Sequence, residues 1–552
     1  MFLLILVLPG LKSQNLFVDA AGERIQVFTD RTLYISGEKV HFSALIFSGK
    51  DHNSINFSRV LYCELITPDG NKIAGAKYLL QNSSGQGCFK IPEETISGIY
   101  YLKLYTRFMR NAGTDEYKFI MLKIINPLKT EVLSGKDVFD TAGFATNKRN
   151  VFAGNLSMMI KSGKKTFAPR EEIRLIVNGD TGKSSPSGLC LSVIPESSFQ
   201  DSFFPVKHPP DDANNSLYFP ETRGISLSGK LIGKESGKPV ANAKINLSII
   251  GDKDIMVVLT DSAGRFFFAL PDYHSSLDIF LCADDLPDVK PEILIDNDFC
   301  SRPVSLSSPV FALSEVEMKI AYKLAVNFRI TSLFRADSLS ADSLAEEHKI
   351  SFYGKPSEIL VMDKYIDLPS IGEYFTELPG LGKLRKVNGK KQFRFYTDQD
   401  EMLLYDPLLL VDWVAVNDIE KILGMSPREI ERIELINSLY VKGNNTYGGI
   451  ICFVSKKNDF AGIDLPSSGT FVHYQFLEEC TENIPLVPAS AHLPDSRNTV
   501  YWNPAVHTDD NGTAGISFTT PDTPGRYSIL LRGITPTGEV VLTEEKIVVT
   551  AE

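Results

Sequence analysis

The chain has 552 residues, of which 43% are hydrophobic and 23% are charged. This balance is ordinary for globular proteins and excludes collagen-like, coiled-coil and largely disordered chains. The length predicts three to five domains, because a single hydrophobic core stops growing beyond about 250 residues. The formal net charge is −11, and no run of lysine and arginine could neutralise a row of phosphates, so nucleic acid is excluded as a predicted partner.

The chain begins with a short apolar run from Phe2 to Leu8, followed by Pro9-Gly10 and the small residue Ser13. We expect residues 1–13 to be a signal peptide and the rest of the chain to be exported. No lysine or arginine precedes the apolar run, and the alternative is the buried first strand of a domain. Beyond this start no stretch approaches about 18 consecutive apolar residues, so the mature chain is predicted to contain no transmembrane helix.

Seven cysteines are present: Cys63, Cys88, Cys190, Cys282, Cys300, Cys452 and Cys480. None forms a CxxC motif or lies near histidines at zinc-finger spacing, so we predict no metal site. In an exported chain, Cys63 could pair with Cys88 and Cys282 with Cys300 across neighbouring strands. The alternative is that the cysteines are small buried apolar side chains.

Alternating apolar and polar residues, broken by hairpin turns, predict β-sandwich domains along most of the chain. An internal repeat aligns Leu33–Val40 without a gap on Thr166–Ile173 and matches Glu38 to Glu171. We therefore predict two sandwiches that share one plan. The segment Arg31–Phe42 resembles the entry strands of macroglobulin-like domains in the α2-macroglobulin superfamily, which implies that both sandwiches are macroglobulin-like.

A third sandwich is predicted from three short segments that follow. Ser228–Leu231, Gly237–Ala243 and Asp261–Phe268 are similar to the carboxypeptidase regulatory-like β-sandwich of many bacterial envelope proteins. The flanking residues alternate as half-buried strands, and Gly264 supplies a turn. The resemblance implies a domain without catalytic chemistry of its own.

Helices are predicted where a serine precedes a glutamate by three residues, which is the capping-box pattern. This pattern occurs at Ser314, Ser370 and Ser426, the last with proline at the first helical position. After Ser314, apolar residues recur every four positions from Val316 to Phe328, which predicts a helix of several turns.

Three segments in this α/β region resemble, in order, the plug domain of TonB-dependent outer-membrane receptors: Leu409–Val416, Ile430–Ile436 and Tyr447–Lys456. The residues that carry this plug-like motif are Asp412, Trp413, Glu431, Glu434, Tyr447, Gly448 and Gly449. The family usually has glycine after the aspartate, where this chain has Trp413. Trp413 is therefore interpreted either as a packing residue or as a local binding feature.

The resemblances together imply a mainly β fold of tandem sandwiches with one small α/β plug-like domain. The predicted division in chain order is: signal peptide 1–13, first macroglobulin-like sandwich 14–127, second macroglobulin-like sandwich 128–222, regulatory-like sandwich 223–305, helical linker 306–344, plug-like domain 345–460 and C-terminal sandwich 461–552.

Motifs of common enzymes are missing from the sequence. The motifs His-Glu-x-x-His and Gly-x-Ser-x-Gly are absent, and the eight histidines are scattered. The motif Gly-Cys-Gly-Glu-Gln, which a covalent macroglobulin protease trap of the thioester class needs, is absent as well. We therefore predict no catalytic residues, no cofactor and no enzymatic activity.

The function that these features favour is binding. The combination of domains resembles envelope proteins of the Bacteroidota and implies an exported, non-enzymatic adaptor in the periplasm or outer membrane of a Gram-negative bacterium. The resemblance to plug domains implies association with a TonB-dependent uptake complex, with an outer-membrane barrel protein or another envelope protein as partner. Two alternatives stay open: a barrel-less receptor component in nutrient transport, and a thioester-less protease inhibitor with Ser197–Asn215 as its bait segment.

Overall fold

The computed structural model describes most of the chain, in these ranges: 22–48, 57–135, 157–178, 187–200, 217–283, 289–335, 350–378, 382–387, 390–395, 400–443, 445–465, 469–480, 493–535 and 540–551. The chain forms two compact units. Unit 1 comprises residues 1–224, 299–342 and 477–552, and unit 2 comprises residues 225–298 and 343–476. The predicted signal peptide, residues 1–13, lies outside the described residues.

The described residues of unit 1 contain two sets of strands and one α-helix. The first set is β1 (Glu23–Thr29), β2 (Leu33–Ile35), β3 (Lys39–Ser48), β4 (Val60–Ile66), β5 (Lys72–Gln81), β6 (Ser84–Lys90), β7 (Gly98–Tyr105) and β8 (Lys118–Ile125). The second set is β9 (Ser157–Ile160), β10 (Thr166–Phe167), β11 (Glu172–Asn178), β12 (Ser187–Pro195), β29 (Tyr501–Asn503), β30 (Thr513–Thr519), β31 (Gly525–Ile534) and β32 (Val540–Val549). The helix is α1 (Glu315–Arg335).

Unit 2 contains the remaining described strands and two short helices. The strands are β13 (Ser226–Gly233), β14 (Lys244–Ile249), β15 (Ile255–Leu259), β16 (Arg265–Ala269), β17 (Ser276–Ala283), β18 (Pro291–Ile295), β19 (Glu358–Val361), β20 (Lys383–Val387), β21 (Lys390–Arg394), β22 (Leu408–Val411), β23 (Val414–Ala415), β24 (Ile430–Ile436), β25 (Tyr440–Lys442), β26 (Asn445–Tyr447), β27 (Ile450–Ser455) and β28 (Thr470–Gln475). The helices are α2 (Ile371–Glu377) and α3 (Ile419–Gly424).

The first sandwich of unit 1 is a continuous run of eight strands in the order β1-β3-β6-β5-β4-β7-β8-β2. Neighbouring strands are antiparallel, except that the short β2 runs parallel to β8. All residues of β4 and β7 are buried, which requires apolar or satisfied polar side chains on both of their faces. Tyrosines fill much of this core; Tyr62 and Tyr105 stack with ring centroids 5.5 Å apart.

The second sandwich of unit 1 is assembled from two distant parts of the chain. Its sheets are β10-β32-β31-β12-β29 and β30-β11-β9. In the smaller sheet Ile173 lies opposite Phe518, and Leu175 lies opposite Ile516. The structure thus differs from the predicted division: strands from 128–222 and from 461–552 complete each other in one sandwich, because each set alone leaves an apolar face uncovered.

Helix α1 packs on the first sandwich, with Leu324 in a cluster with Leu33 and Ile35. Its predicted capping box is formed: Ser314 Oγ accepts a hydrogen bond from the Glu317 backbone N–H at 3.2 Å, and the Glu317 carboxylate accepts one from the Ser314 N–H at 2.8 Å. The segment predicted as a helical linker is therefore part of unit 1, because its apolar face is buried there.

Unit 2 combines the strands of the segment predicted to be regulatory-like with a five-stranded sheet from the segment predicted to be plug-like, which we call the plug-like sheet. The sandwich sheets are β16-β13-β18 and β15-β14-β17-β28, and the plug-like sheet is β19-β24-β27-β22-β23. One apolar cluster contains Phe280 of the sandwich together with Leu410 and Phe453 of the plug-like sheet. Strand β28 follows the plug-like segment and pairs with β17, so residues 470–475 belong to this sandwich and not to a C-terminal one.

The two capping boxes predicted in unit 2 have different outcomes. Helix α2 begins after Ser370, whose side chain accepts a hydrogen bond from the Glu373 N–H at 3.3 Å. After Ser426 only a single 3₁₀ turn forms, over Pro427–Glu429, and the serine side chain makes no capping hydrogen bond. The expected helix is absent there because strand β24 begins at Ile430.

The fold class predicted from the sequence is confirmed: the chain is mainly β, with tandem macroglobulin-like sandwiches and a small α/β part. Among the residues that the structure describes, no helix is both long and apolar enough to span a membrane. Cys88 forms a disulfide with Cys480, which is neither of the pairs considered from the sequence. The other five cysteines are buried thiols.

Candidate functional site

The plug-like motif residues occupy two places in unit 2. Asp412 and Trp413 form the turn between β22 and β23. Tyr353 connects Trp413 with Glu434 on β24 through hydrogen bonds. Tyr447 ends β26, and Gly448 and Gly449 lie between β26 and β27. The remaining motif residue, Glu431, is exposed and pairs with Arg432 at 3.1 Å. The motif therefore supports two local structures, which we describe in turn.

The Asp412-Trp413 turn joins two antiparallel strands with only two residues, both in the left-handed region, with φ of 48° and 62°. A two-residue hairpin with two positive φ angles favours aspartate followed by glycine, so Trp413 carries backbone strain that glycine would avoid. Asp412 offsets this cost with three hydrogen bonds. Its carboxylate accepts from Ser455 N and Ser455 Oγ, both at 2.7 Å, and from Phe460 N at 2.9 Å.

Trp413 is held by contacts on its ring edge and its ring face. The indole N–H donates to Ser351 Oγ and to Tyr353 Oη, each at 3.0 Å. Lys253 Nζ lies 4.7 Å from the ring centroid, a cation–π distance. Trp413 is 8% exposed, so of the two sequence interpretations its contacts are those of a packing residue.

Glu434 and Tyr353 complete the same buried group. The Tyr353 hydroxyl donates to Glu434 Oε2 at 2.6 Å, and Arg432 Nε donates to Glu434 Oε1 at 2.8 Å. Burial raises the pKa of Tyr353 far above its ordinary value, and burial raises the pKa of the neighbouring Cys452 thiol to about 12. The phenol and the thiol therefore stay protonated at neutral pH, and neither has the reactivity of a catalytic nucleophile.

The Tyr447–Gly449 segment is shaped by close backbone approaches. Gly449 has φ of 102°, which favours glycine. A Cβ atom on Gly448 would lie 2.2 Å from the carbonyl oxygen of Tyr405 and 2.6 Å from that of Met402. Gly448 therefore allows residues 402–405 to lie against the start of β27.

Residues 402–405, Met-Leu-Leu-Tyr, form what we call the apolar turn. Met402 is buried, whereas Leu403 and Tyr405 are exposed and Leu404 is 78% exposed. Arg394 Nη1 donates to the Tyr405 carbonyl at 2.8 Å. The turn thus presents three large apolar side chains to solvent from a fixed backbone.

Sequence reasoning did not identify the apolar turn. Its signal was present as four consecutive apolar residues after Glu401, but such a short run is equally typical of a buried strand. Only the three-dimensional structure shows that Met402 is buried and that Leu403, Leu404 and Tyr405 are exposed.

Within the described ranges, no three histidine, cysteine or acidic side chains are grouped so that they could hold a metal ion. The carboxylates of Asp412 and Glu434 accept hydrogen bonds from the donors described above.

Comparison with protein families matches residues 24–119 to the MG2 domain. This range covers the first sandwich of unit 1 from β1 into β8. Comparison with curated protein sequences gave no significant match.

Several solved structures are similar to this chain. An Escherichia coli alpha-2-macroglobulin activated by porcine elastase is 10% identical over 96% of this chain and 44% of its own, with a TM-score of 0.25. A Salmonella alpha-2-macroglobulin reacted with methylamine is 10% identical over 96% of this chain and 23% of its own, with a TM-score of 0.16. The Yersinia pseudotuberculosis adhesin InvE is 10% identical over 50% of this chain and 58% of its own, with a TM-score of 0.13.

This chain spans less than half the length of either alpha-2-macroglobulin. All three TM-scores are low, so these similarities do not bear on function. The MG2 match makes this a protein with a macroglobulin-like domain.

Proposed function

We propose that this chain is an exported, non-enzymatic binding adaptor of a bacterial cell envelope, and that the apolar turn of unit 2 is the element with which it docks onto another envelope protein. The single observation that carries the proposal is the exposure of Leu403, Leu404 and Tyr405 on a fixed backbone. Contiguous exposed apolar side chains on a fixed loop are typical of protein contact sites.

The polar groups of the plug-like motif support binding over catalysis. The side chains of Asp412, Trp413 and Glu434 form hydrogen bonds with other groups of the same unit. The apolar turn instead exposes Leu403, Leu404 and Tyr405. Burial of apolar surface is the main favourable term in most protein associations.

Export is supported by the disulfide between Cys88 and Cys480, because such bonds persist mainly in oxidising compartments. The periplasm or the outer membrane of a Gram-negative bacterium would provide such a compartment. The apolar run at Phe2–Leu8 is consistent with this location as a signal peptide.

The resemblance of the plug-like motif to TonB-dependent receptors suggests the kind of partner. We propose an outer-membrane barrel protein of an uptake complex as the first candidate, and other envelope proteins as the second. A barrel-less receptor component would use the same docking element, so the two hypotheses share one experiment.

The test is site-specific photo-cross-linking in intact cells. A photo-reactive amino acid replaces Leu404 in the full chain, and captured proteins are identified by mass spectrometry. The matched control carries the same amino acid at Ile366, which is also highly exposed in unit 2. We expect a defined envelope protein to be captured at Leu404 and not at Ile366; equal capture at both positions, or none, would contradict docking through the apolar turn.

A second candidate function, a thioester-less protease inhibitor, is favoured by the MG2 match. In that case one exposed segment would be cut and the protease retained. Most of the bait segment suggested from the sequence, Ser197–Asn215, lies outside the described residues. Incubating the full chain with several proteases and analysing the products by native gel and mass spectrometry tests this: one early cleavage with the protease still bound supports inhibition, whereas scattered cleavage with free protease contradicts it.

A further inference from the structure

The chain returns to unit 1 at Leu477 through a short segment that contacts β5 and β6. Leu477 forms a parallel bridge with Lys77 of β5, and the Glu478 backbone N–H donates to the Lys77 carbonyl oxygen at 2.7 Å. At the end of the segment, Cys480 forms the disulfide with Cys88 of β6. We call residues 477–480 the strap.

The strap lies in a fork between β5 and β6. Pairing between these two strands runs from their hairpin turn as far as Leu80 opposite Gly85. If this register continued by three more residues, Lys77 would lie opposite Cys88. Instead, the strap is hydrogen-bonded to the first of these residues and covalently bound to the second. It therefore connects the two strands at the point where their own pairing has ended.

The strap flanks a buried lysine. Residues that lie opposite each other on neighbouring strands project their side chains to the same face of a sheet. Lys77 therefore lies between Tyr62 on β4 and Leu477 on the strap. Lys77 is only 1% exposed, which is rare for lysine, and its Nζ lies 5.8 Å from the centroid of the Phe299 ring. Removing the strap would thus remove one neighbour that keeps Lys77 from solvent.

A buried tyrosine lies next to this lysine. Tyr78 is 1% exposed, and within the described residues its hydroxyl has no hydrogen-bond partner. Burial raises the pKa of Tyr78 well above its ordinary value, with smaller contributions from Cys63 and from Glu478 of the strap. A buried hydroxyl without a partner is unfavourable, because it has lost its hydrogen bonds to water. An open strap would allow water to approach this group.

The noncovalent terms at the fork oppose one another. The hydrogen bond from Glu478 and the burial of Leu477 favour the closed strap. The buried Tyr78 hydroxyl and the ordering of the long Lys77 side chain favour the open one. The disulfide favours closure, because it holds the end of the strap at β6 and keeps the remaining strap residues at a high effective concentration near the fork.

From these observations we propose that the strap is a redox-controlled cover of the first sandwich, closed while the disulfide between Cys88 and Cys480 is present and opened by a dithiol, with Lys77 accessible to solvent in the open state. The residues involved all belong to unit 1. The inference does not depend on the apolar turn of unit 2.

The opening reaction is thiol–disulfide exchange. Cys480 is half-buried and Cys88 is buried, so one thiolate of the dithiol attacks Cys480 Sγ, and Cys88 leaves as a thiolate. The second thiolate of the dithiol then attacks its own sulfur in the mixed disulfide and releases Cys480. Both cysteine thiolates take up a proton from water, and the dithiol becomes a cyclic disulfide.

The experiment is amine labelling of the folded full chain with and without dithiothreitol, with the labelled lysines identified by mass spectrometry. We expect the labelling rate of Lys77 to rise about tenfold or more on reduction, because the strap opens locally. Lys103 is the internal control: it is 3% exposed in the same sandwich and pairs with Glu64 at 2.9 Å, so it reacts only if the sandwich unfolds.

Labelling of Lys77 without Lys103 after reduction supports the proposal. Labelling of both lysines would show that the disulfide stabilises the whole sandwich and does not control a strap. Protection of Lys77 in the reduced chain, or its rapid labelling in the oxidised chain, would equally overturn the proposal.

A variant separates the disulfide from other effects of the reductant. Cys480→Ser should expose Lys77 without dithiothreitol, respond no further to it, and show faster hydrogen exchange at the Glu478 amide. Cys190→Ser is the matched control, because it removes a buried thiol outside the disulfide and should leave Lys77 protected. Protection of Lys77 in a folded Cys480→Ser chain would contradict the strap mechanism.

Discussion

Arg31 and Glu38 form a buried ion pair in the first sandwich, with 3.0 Å between Nη2 and Oε1. The aligned residues of the second sandwich, Lys164 and Glu171, form an ion pair at 2.8 Å. In both sandwiches the glutamate also accepts a hydrogen bond from the backbone N–H three residues earlier, at 2.7 Å and 2.9 Å. In each sandwich a glutamate carboxylate therefore closes the entry turn through equivalent contacts, as the sequence repeat suggests.

The two glutamates differ in burial, which predicts different costs of removal. Glu38→Ala leaves Arg31 buried without its main partner, and breaking a buried pair costs about 3 kcal/mol or more. Glu171→Ala removes a pair at the surface, where the contribution is screened by solvent. We expect a large decrease in the thermal unfolding midpoint for Glu38→Ala and a small one for Glu171→Ala, measured by calorimetry of the full chain. Equal shifts would contradict this interpretation.

Gly448 is predicted to be essential for the position of the apolar turn. In Gly448→Ala the new methyl group would meet the backbone oxygen of Tyr405 at 2.2 Å, so the turn must move. We expect faster hydrogen exchange at residues 400–406 and weaker capture of the partner at Leu404. Gly424→Ala is the matched control, because a Cβ there has no neighbour within 4 Å; an exchange pattern in Gly448→Ala like that of this control would show that the turn does not need the glycine.

The buried tyrosines predict loss of stability at alkaline pH. Burial raises the pKa of Tyr34, Tyr105 and Tyr353 well above their ordinary values. Their contribution is therefore fully present below the unfolded pKa of about 10 and decreases as pH rises above it, since the unfolded chain then releases protons that the folded chain keeps. Tyrosinate absorbance and circular dichroism, followed together during alkaline titration, check this.

For these tyrosines, tyrosinate formation should coincide with unfolding. Tyr322→Phe, at a side chain that is 73% exposed, is the control and should leave the alkaline unfolding midpoint unchanged. If Tyr34, Tyr105 and Tyr353 ionised near the ordinary tyrosine pKa while the chain stayed folded, this result would contradict their burial.

The cysteines predict how many thiols react with a thiol reagent under each condition. The disulfide leaves five thiols, all buried, and burial raises the pKa of Cys190 to about 11. The folded chain should therefore react with a thiol reagent very slowly, because the thiolate is the reactive form. After denaturation without reductant five thiols should react, and with reductant all seven cysteines.

Cys88→Ser serves as the control for the disulfide. It should add one reactive thiol, at Cys480, without any reductant. Seven reactive thiols in the denatured, unreduced wild-type chain would show that the disulfide does not form.

Local features of the fold were predictable from the sequence because they depend on neighbouring residues. The capping box at Ser314 and the matched turns at Glu38 and Glu171 involve hydrogen bonds within a few positions. The same reasoning overpredicted a helix after Ser426, where pairing of β24 in the sheet prevailed over the local pattern. For the candidate site, the sequence located the plug-like motif but did not show that it supports the apolar turn.

By itself, the sequence determined that this is a mainly β, modular protein, because alternation and turn residues depend on neighbouring positions. The macroglobulin-like character was implied by the resemblance of Arg31–Phe42 to that family. Only the tertiary structure decided which strands complete each sandwich, that α1 belongs to unit 1, and that Cys88 pairs with Cys480. The physical reason is that an apolar strand face specifies that it must be covered but not by which segment. That choice depends on register and packing between residues hundreds of positions apart.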